Sequence, residues 1–189
     1  MKRNDIVRRI GYAGLLAILA GGSSHAAAQA HDHAADARSA SGAFVKLVRE
    51  STERFKDVAV AEHEGYGLQF GCVSGPDYGA MGMHFVNFPL VLDGVLDPTK
   101  PEIVIYEPLP NGRLQLVGAD FLVLASDWHA KNPAPPELMG QLLHLFESPN
   151  RFGLPNFYTL HVWAWKENPT GTFSNWHAKV SCDAFGGGD

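Results

Sequence analysis

The chain has 189 residues, 46% of them hydrophobic, and a formal net charge of −5 from 20 acidic and 15 basic side chains. An acidic chain without a basic stripe argues against a nucleic-acid-binding protein and against attachment to an anionic membrane surface. The length suits one domain with a single core.

Residues 1–30 have the three parts of a secretory signal peptide. Basic residues begin the segment, an apolar run follows at 10–20, and small residues close it. The run is too short to span a bilayer, and no later stretch reaches the ~20 apolar residues of a spanning helix. Cleavage would remove four basic residues and one acidic residue, which takes the net charge from −5 to −8. We therefore expect an exported protein, periplasmic or extracellular, without a membrane span.

Segment 31–41 is polar and alanine-rich without an apolar period, which predicts a flexible tail. It contains His31 and His33. Cleavage after Ala30 or after Ala28 would place a histidine third from the new amine. The amine, two backbone nitrogens and that imidazole can then form the square of nitrogens that suits Cu²⁺ or Ni²⁺. The alternative is a plain soluble spacer.

Residues 42–185 are predicted to form one globular domain, followed by a glycine-rich tail at 186–189. Apolar residues at helical spacing from Phe44 to Ala59 predict one N-terminal amphipathic helix. After Gly65 the chain changes to short β-rich segments separated by Gly and Pro. The predicted strands are 67–73, 82–88, 102–107, 114–124, 142–146, 157–166 and 178–182. Together these elements predict an α+β fold, with the helix packed on a curved, mainly antiparallel sheet or a partly closed barrel.

Cys72 and Cys182 are the two cysteines of the chain. In an exported protein, an isolated pair most simply forms a disulfide. That bond would close a loop of roughly 110 residues, for which loop-closure entropy is large. A metal-binding pair or two free thiols are the alternatives.

Two histidines in strand-like apolar segments, His84 and His161, are candidate metal ligands, and Glu107 ends another such segment. Neutral imidazole is the commonest metal ligand, and a carboxylate completes many sites. If the strands converge, these three residues form a site for zinc or copper. The chain has no His-Glu-x-x-His or Cys-x-x-Cys motif to support it. The alternative is that both histidines are hydrogen-bonded core residues.

Aromatic residues indicate a second kind of site, for a small organic ligand. Trp163 and Trp165 alternate along the predicted strand 157–166 and would share one face. The proline-rich connection 126–140 carries Trp128 and His129. A long loop over aromatic walls with a polar histidine is typical of a ligand pocket. The alternative is that the loop seals a second small core.

Several segments together carry a resemblance to known sequences. They read Met-Gly-Met-His-Phe-Val-Asn at 81–87, Pro-Glu-Ile-Val-Ile-Tyr-Glu-Pro at 101–108, Asn-Gly-Arg-Leu-Gln-Leu-Val at 111–117, His-Val-Trp-Ala-Trp at 161–165 and Asn-Pro-Thr-Gly-Thr-Phe at 168–173. The set resembles a family of uncharacterised secreted bacterial proteins. The resemblance spans most of the mature chain and implies export, without an activity or a ligand. Where that family has Asn followed by Pro, this chain has His177 and Ala178.

The residues favour a binding protein over an enzyme. No Gly-x-Ser-x-Gly elbow is present, and the cysteines are best used in a disulfide, so no activated nucleophile is indicated. We therefore expect an exported binding or accessory protein for a small ligand or a metal ion. The alternatives are a hydrolase-type or metal-dependent enzyme that uses the His84 and His161 region, and a purely structural or interaction protein.

Overall fold

The computed structural model describes the backbone of residues 23–186 and the side chains of residues 38–186. Contacts within the chain divide it into Met1–Ala35 and Asp36–Asp189. Most of the predicted signal peptide and the last three residues of the glycine-rich tail lie outside the described residues. The sheet and its core belong to the second unit.

Helices form the N-terminal part of the described chain. Helix α1 spans Ser23–Thr52 and so includes the segment 31–41 for which the sequence predicts a flexible tail. A 3-10 turn follows at Glu53–Lys56, and α2 spans Val58–His63. The 3-10 turn therefore divides the single helix predicted from the apolar spacing. Within residues 23–186, no helix is long and apolar enough to cross a membrane.

The remaining elements are strands with two short helices between them, α3 at Phe88–Asp93 and α4 at Ala125–His129. The strands are β1 Gly67–Ser74, β2 Ala80–Val86, β3 Ile103–Pro108, β4 Leu114–Leu124, β5 Glu137–Leu138, β6 Gln141–Leu142, β7 His144–Phe146 and β8 Phe157–Val162. Six of them form an antiparallel sheet in the order β1-β2-β3-β4-β8-β7, and β5 pairs with β6. The sheet curls into a half-barrel, so the predicted α+β fold with a curved antiparallel sheet is confirmed.

Both faces of the six-stranded sheet are apolar. On one, called the helix face below, Phe44 of α1 packs against Phe121 of β4 with ring centroids 5.5 Å apart. The opposite face carries two buried histidines and is called the histidine face. It is covered by Phe152 of the β7–β8 loop and by Val180 of the C-terminal segment. Alternating side chains of the same strands thus contribute to two separate cores.

Strand β8 is shorter than the sequence predicts. It ends at Val162, whereas the prediction continued it to Lys166. The backbone N–H groups of Trp165 and Lys166 both bond to the carbonyl of Val117, so the chain leaves the regular ladder there. The alternation that would place Trp163 and Trp165 on one face ends with the strand.

The predicted strand at 178–182 is wrong, whereas the predicted disulfide is confirmed. Cys72 and Cys182 are bonded, with Cα atoms 5.7 Å apart. Among the described residues, the only β-bridge between the C-terminal segment and the sheet is the isolated one between Ala80 and His177. A backbone N–H of this segment bonds to a side-chain carboxylate instead of to a neighbouring strand. A disulfide and a side-chain hydrogen bond therefore hold this segment in place of the backbone hydrogen bonds of a β-ladder.

Loss of the disulfide should destabilise the fold. The two cysteines are 110 residues apart. Closing a loop of that size in the unfolded chain accounts for about 4–5 kcal/mol of stability before any native strain is subtracted. We expect Cys72→Ala/Cys182→Ala to unfold at lower urea concentration than the oxidised wild type. Reductant should lower the wild-type midpoint to that of the double variant and leave the double variant unchanged. Equal midpoints for oxidised and reduced wild type would contradict the estimate.

Candidate metal centre

Strand register and sheet curvature bring three polar residues together on the histidine face. Asp120 and His161 are opposite each other across β4 and β8. His84 lies on β2, which two strands separate from β8, and in a flat sheet that separation would be about 14 Å. The ring centroids of His84 and His161 are nevertheless 5.7 Å apart. The curl of the half-barrel therefore brings His84 over the pair.

The three side chains offer ligand atoms in a compact arrangement. One atom each from His84, Asp120 and His161 can be chosen so that all lie within 4.8 Å of one another. The three residues are only 5%, 2% and 2% exposed, respectively. In a tetrahedral zinc site with bonds of ~2.0–2.2 Å, the ligand atoms lie about 3.4 Å apart. Side-chain movements of about 1 Å toward a central ion would complete such a site.

His84 is held with one ring nitrogen available. Its Nδ1 lies 3.2 Å from the carbonyl oxygen of Gly82, which can only accept, so Nδ1 carries the proton and Nε2 keeps its lone pair. Gly82 has φ +84°, and a Cβ there would lie 2.7 Å from the carbonyl oxygen of Tyr106, so the position requires glycine. Ligating histidines commonly donate their second N–H to a backbone carbonyl in this way.

Asp120 is oriented by hydrogen bonds and lacks a basic partner. Its Oδ1 accepts hydrogen bonds from the Thr159 hydroxyl at 2.5 Å and from the Leu160 N–H at 3.1 Å. Within residues 38–186, no Lys or Arg lies within ion-pair distance of it. A buried carboxylate is costly without a compensating charge. A cation bound at this point would supply that charge.

Neither buried ring nitrogen of His161 makes a hydrogen bond of normal geometry to any part of the chain that the structure describes, although the side chain of Asn175 lies close enough to interact with the ring. Its Nδ1 lies 3.6 Å from Asp120 Oδ1, which is too long for a hydrogen bond. The side-chain oxygen of nearby Asn175 is also buried without a partner. Buried polar atoms are nearly always paired, so an unpaired imidazole beside a carboxylate is a candidate ligand position.

Burial sets the protonation state of the cluster. Desolvation and neighbouring His161 together lower the pKa of His84 to about 4. Desolvation, assisted by His144 and opposed by the side chain of Asn175, lowers the pKa of His161 to about 3. The pKa of Asp120 is raised to about 6 by burial, against the hydrogen bond from Thr159 that lowers it. At pH 7 the cluster therefore has two neutral imidazoles and a carboxylate, the forms that bind a metal.

A cavity of about 20 Å³ adjoins the three residues. Such a volume holds one water-sized ligand. Its walls are mostly aromatic or apolar, which lowers the local dielectric constant and strengthens electrostatic interactions inside. Besides the three cluster residues, the walls are formed by Phe70, Met81, Phe146, Phe152, Phe157 and Thr159.

Glu107, the carboxylate that the sequence suggested for this site, has other partners. It accepts hydrogen bonds from Lys166 Nζ at 2.5 Å and from Ser181 N–H at 3.1 Å. The structure places Asp120 beside the histidines instead. A signal for Asp120 was present in the sequence, since it is the single acidic residue of the eleven-residue strand Leu114–Leu124. A carboxylate isolated in an apolar strand requires a buried partner.

The aromatic residues suggested for an organic ligand are divided between the two faces. Trp163 packs in the core of the histidine face, whereas Trp165 and Trp128 pack against the core of the helix face. His129 Nε2 lies 2.9 Å from the hydroxyl of Tyr158. The four candidate side chains therefore do not form the walls of one pocket. Strand β8 ends at Val162, so the alternation of side chains along a strand does not apply to Trp163 and Trp165.

The second suggested metal site lies at the N-terminus. The side chains of His31 and His33 are outside the described residues. A square-planar Cu²⁺ or Ni²⁺ site at a processed N-terminus therefore stays a prediction, independent of the cluster on the histidine face.

Comparisons with known proteins find no family model, no curated protein and no solved structure that matches the chain. The resemblance to secreted bacterial proteins stays a prediction. Function must therefore be inferred from the geometry and chemistry of the site.

The cluster predicts how stability depends on pH in the metal-free protein. The unfolded chain protonates His84 and His161 near pH 6.5, whereas the folded chain protonates them only near pH 4 and 3. Asp120 has the opposite effect on the difference in bound protons, because its pKa is about 6 in the folded chain and 3.8 ordinarily. Between about pH 6 and 4 the unfolded state therefore binds about one more proton. From these three residues, the free energy of unfolding should fall by about 1.4 kcal/mol per unit as the pH is lowered.

Urea unfolding at about pH 6, 5 and 4 in the presence of chelator measures this dependence. His161→Asn removes one of the two histidines, so its slope should be less steep by about 1.4 kcal/mol per pH unit. His63→Asn is the matched control, because His63 is exposed at the end of α2. Slopes that are the same for wild type and His161→Asn would show that the buried histidine is not held neutral.

Proposed function

We propose that the protein binds one divalent first-row transition metal ion, with zinc as the first expectation, through His84, Asp120 and His161. The observation that carries the proposal is the convergence of His84, Asp120 and His161, each of which offers a ligand atom within 4.8 Å of the others. His161 also makes no hydrogen bond of normal geometry from either buried ring nitrogen to residues 38–186. It lies beside a buried carboxylate and a second imidazole. A histidine with a purely structural role would use at least one ring nitrogen in a hydrogen bond.

The donor set and its surroundings support a metal ion in particular. Two imidazole nitrogens and a carboxylate oxygen suit zinc and its first-row neighbours. The ligands also have the outer contacts that such sites require, since Gly82 orients His84 and Thr159 orients Asp120. The ion would supply the positive charge that Asp120 lacks.

The number of protein donors favours an exchangeable position. Structural zinc sites normally have four protein ligands, whereas sites that bind water or substrate have three. Here three donors adjoin a cavity of about 20 Å³, room for one water. This observation makes a metal-dependent enzyme the second candidate function, because a metal-bound water can serve as a nucleophile.

We also propose that the protein acts outside the cytoplasm. The Cys72–Cys182 disulfide supports this location, because structural disulfides persist in oxidising compartments. The leader-like composition of residues 1–30 points the same way.

Metal titration tests the proposal directly. Protein freed of metal by a chelator should bind one zinc ion per chain at this site, measured by calorimetry and by metal analysis after dialysis. Asp120→Asn keeps the size of the side chain but removes its charge and one donor oxygen. It should weaken zinc binding by more than about 100-fold, because even loss of an outer contact typically costs 10–100-fold.

Glu107→Gln is the matched control for Asp120→Asn. It also neutralises a buried acidic residue on the sheet, but one that pairs with Lys166. It should keep the wild-type affinity for zinc. Equal affinities for Asp120→Asn and wild type would exclude the proposed site, and a loss confined to Glu107→Gln would restore the ligand set suggested by the sequence.

A further inference from the structure

Phe70 separates the candidate metal centre from an outer cleft. On its inner side it lines the cavity of about 20 Å³ beside His84, Asp120 and His161. On its outer side it lines a cleft of about 750 Å³ that also contains Arg151 and the disulfide. Its side chain is 44% exposed. The ring of Phe70 thus lies between the outer cleft and the cluster.

An irregularity in β1 places Phe70 there. The pairing of β1 with β2 is regular up to Gln69 and resumes at Cys72, so Phe70 and Gly71 form a bulge. Phe70 has φ +63°, a left-handed conformation that aromatic residues rarely adopt. Bulges redirect side chains beside functional sites, and strained backbone is common in the same places. Here the bulge turns the ring onto the inner cavity.

The other half of the partition is Phe152, in the β7–β8 loop. Its ring meets Phe70 edge to face with centroids 5.4 Å apart, and it lines the inner cavity too. Arg151 attaches this loop to the end of β1, since its Nη1 donates to the carbonyl of Ser74 at 3.1 Å. The edge-to-face contact between the two rings and the exposed Arg151 hydrogen bond can break without unfolding of the core.

We propose that Phe70 is a gate that limits which ligands reach the metal. This inference rests on the proposed metal site. With the ring in place, the fourth position takes a small oxygen or nitrogen donor of about three atoms or fewer, because the cavity holds little more than one water. Larger ligands enter from the cleft only when Phe70 turns outward. The site is therefore specific for small inorganic ligands.

Cobalt-substituted protein provides the test, because the visible spectrum of Co²⁺ changes when its fourth ligand changes. Azide and imidazole serve as the small and the large probe. In wild type, azide should alter the spectrum at lower concentration than imidazole. Phe70→Ala joins the cavity to the cleft, so imidazole should bind at least about tenfold more tightly, as expected when a rarely open state becomes the common one. The azide affinity should change much less.

Two further variants make the outcome unambiguous. Phe70→Gly opens the same path and suits the left-handed backbone, so it should repeat the effect without loss of thermal stability. Phe88→Ala is the matched control, because Phe88 lies on α3 and is 46% exposed. Equal imidazole affinities for wild type and both Phe70 variants would overturn the gate while leaving the metal site intact. Failure of wild type to bind Co²⁺ would overturn the metal site and the gate with it.

Discussion

The curl of the six-stranded sheet toward its histidine face brings the candidate metal centre together, because it places a side chain of β2 beside one of β8, a strand three places away. Gly82 and Gly118 leave room on the histidine face, where an added Cβ would lie 2.7 Å from a backbone carbonyl oxygen at either position. Without that curl, His84 would not reach the pair formed by Asp120 and His161.

The cluster opposes folding in the absence of an ion. Three polar side chains are withdrawn from water, one of them a carboxylate without a basic partner, and His161 gains no hydrogen bond of normal geometry from any described residue in return. Hydrophobic residues of similar size would stabilise the fold better. Residues that lower stability in this way are characteristic of functional sites. Binding of a metal ion would add its binding free energy to the stability of the folded state.

The outer layer of the histidine face forms one connected arrangement. The disulfide attaches the C-terminal segment to β1 at Cys72, directly after the bulge. The same segment packs Val180 into the core below, and Phe185 lies against Gly71 of the bulge. The position of Phe70 is therefore held from one side by a covalent bond and from the other by contact with Phe152. The disulfide and the Phe152 contact therefore meet at the bulge that carries Phe70.

Local pattern and composition were enough to predict the α+β class, the curved antiparallel sheet, the disulfide and the placement of His84 and His161 in apolar strands. These features follow from periodicity and compartment, which neighbouring residues in the chain determine. The tertiary structure placed Asp120 and not Glu107 beside the histidines, ended β8 before Trp163 and left the segment 178–182 without a β-ladder. Each of those outcomes depends on register, sheet curvature or a side-chain partner far away in sequence. Such contacts leave no periodic trace in the chain, because they arise only when distant strands pair.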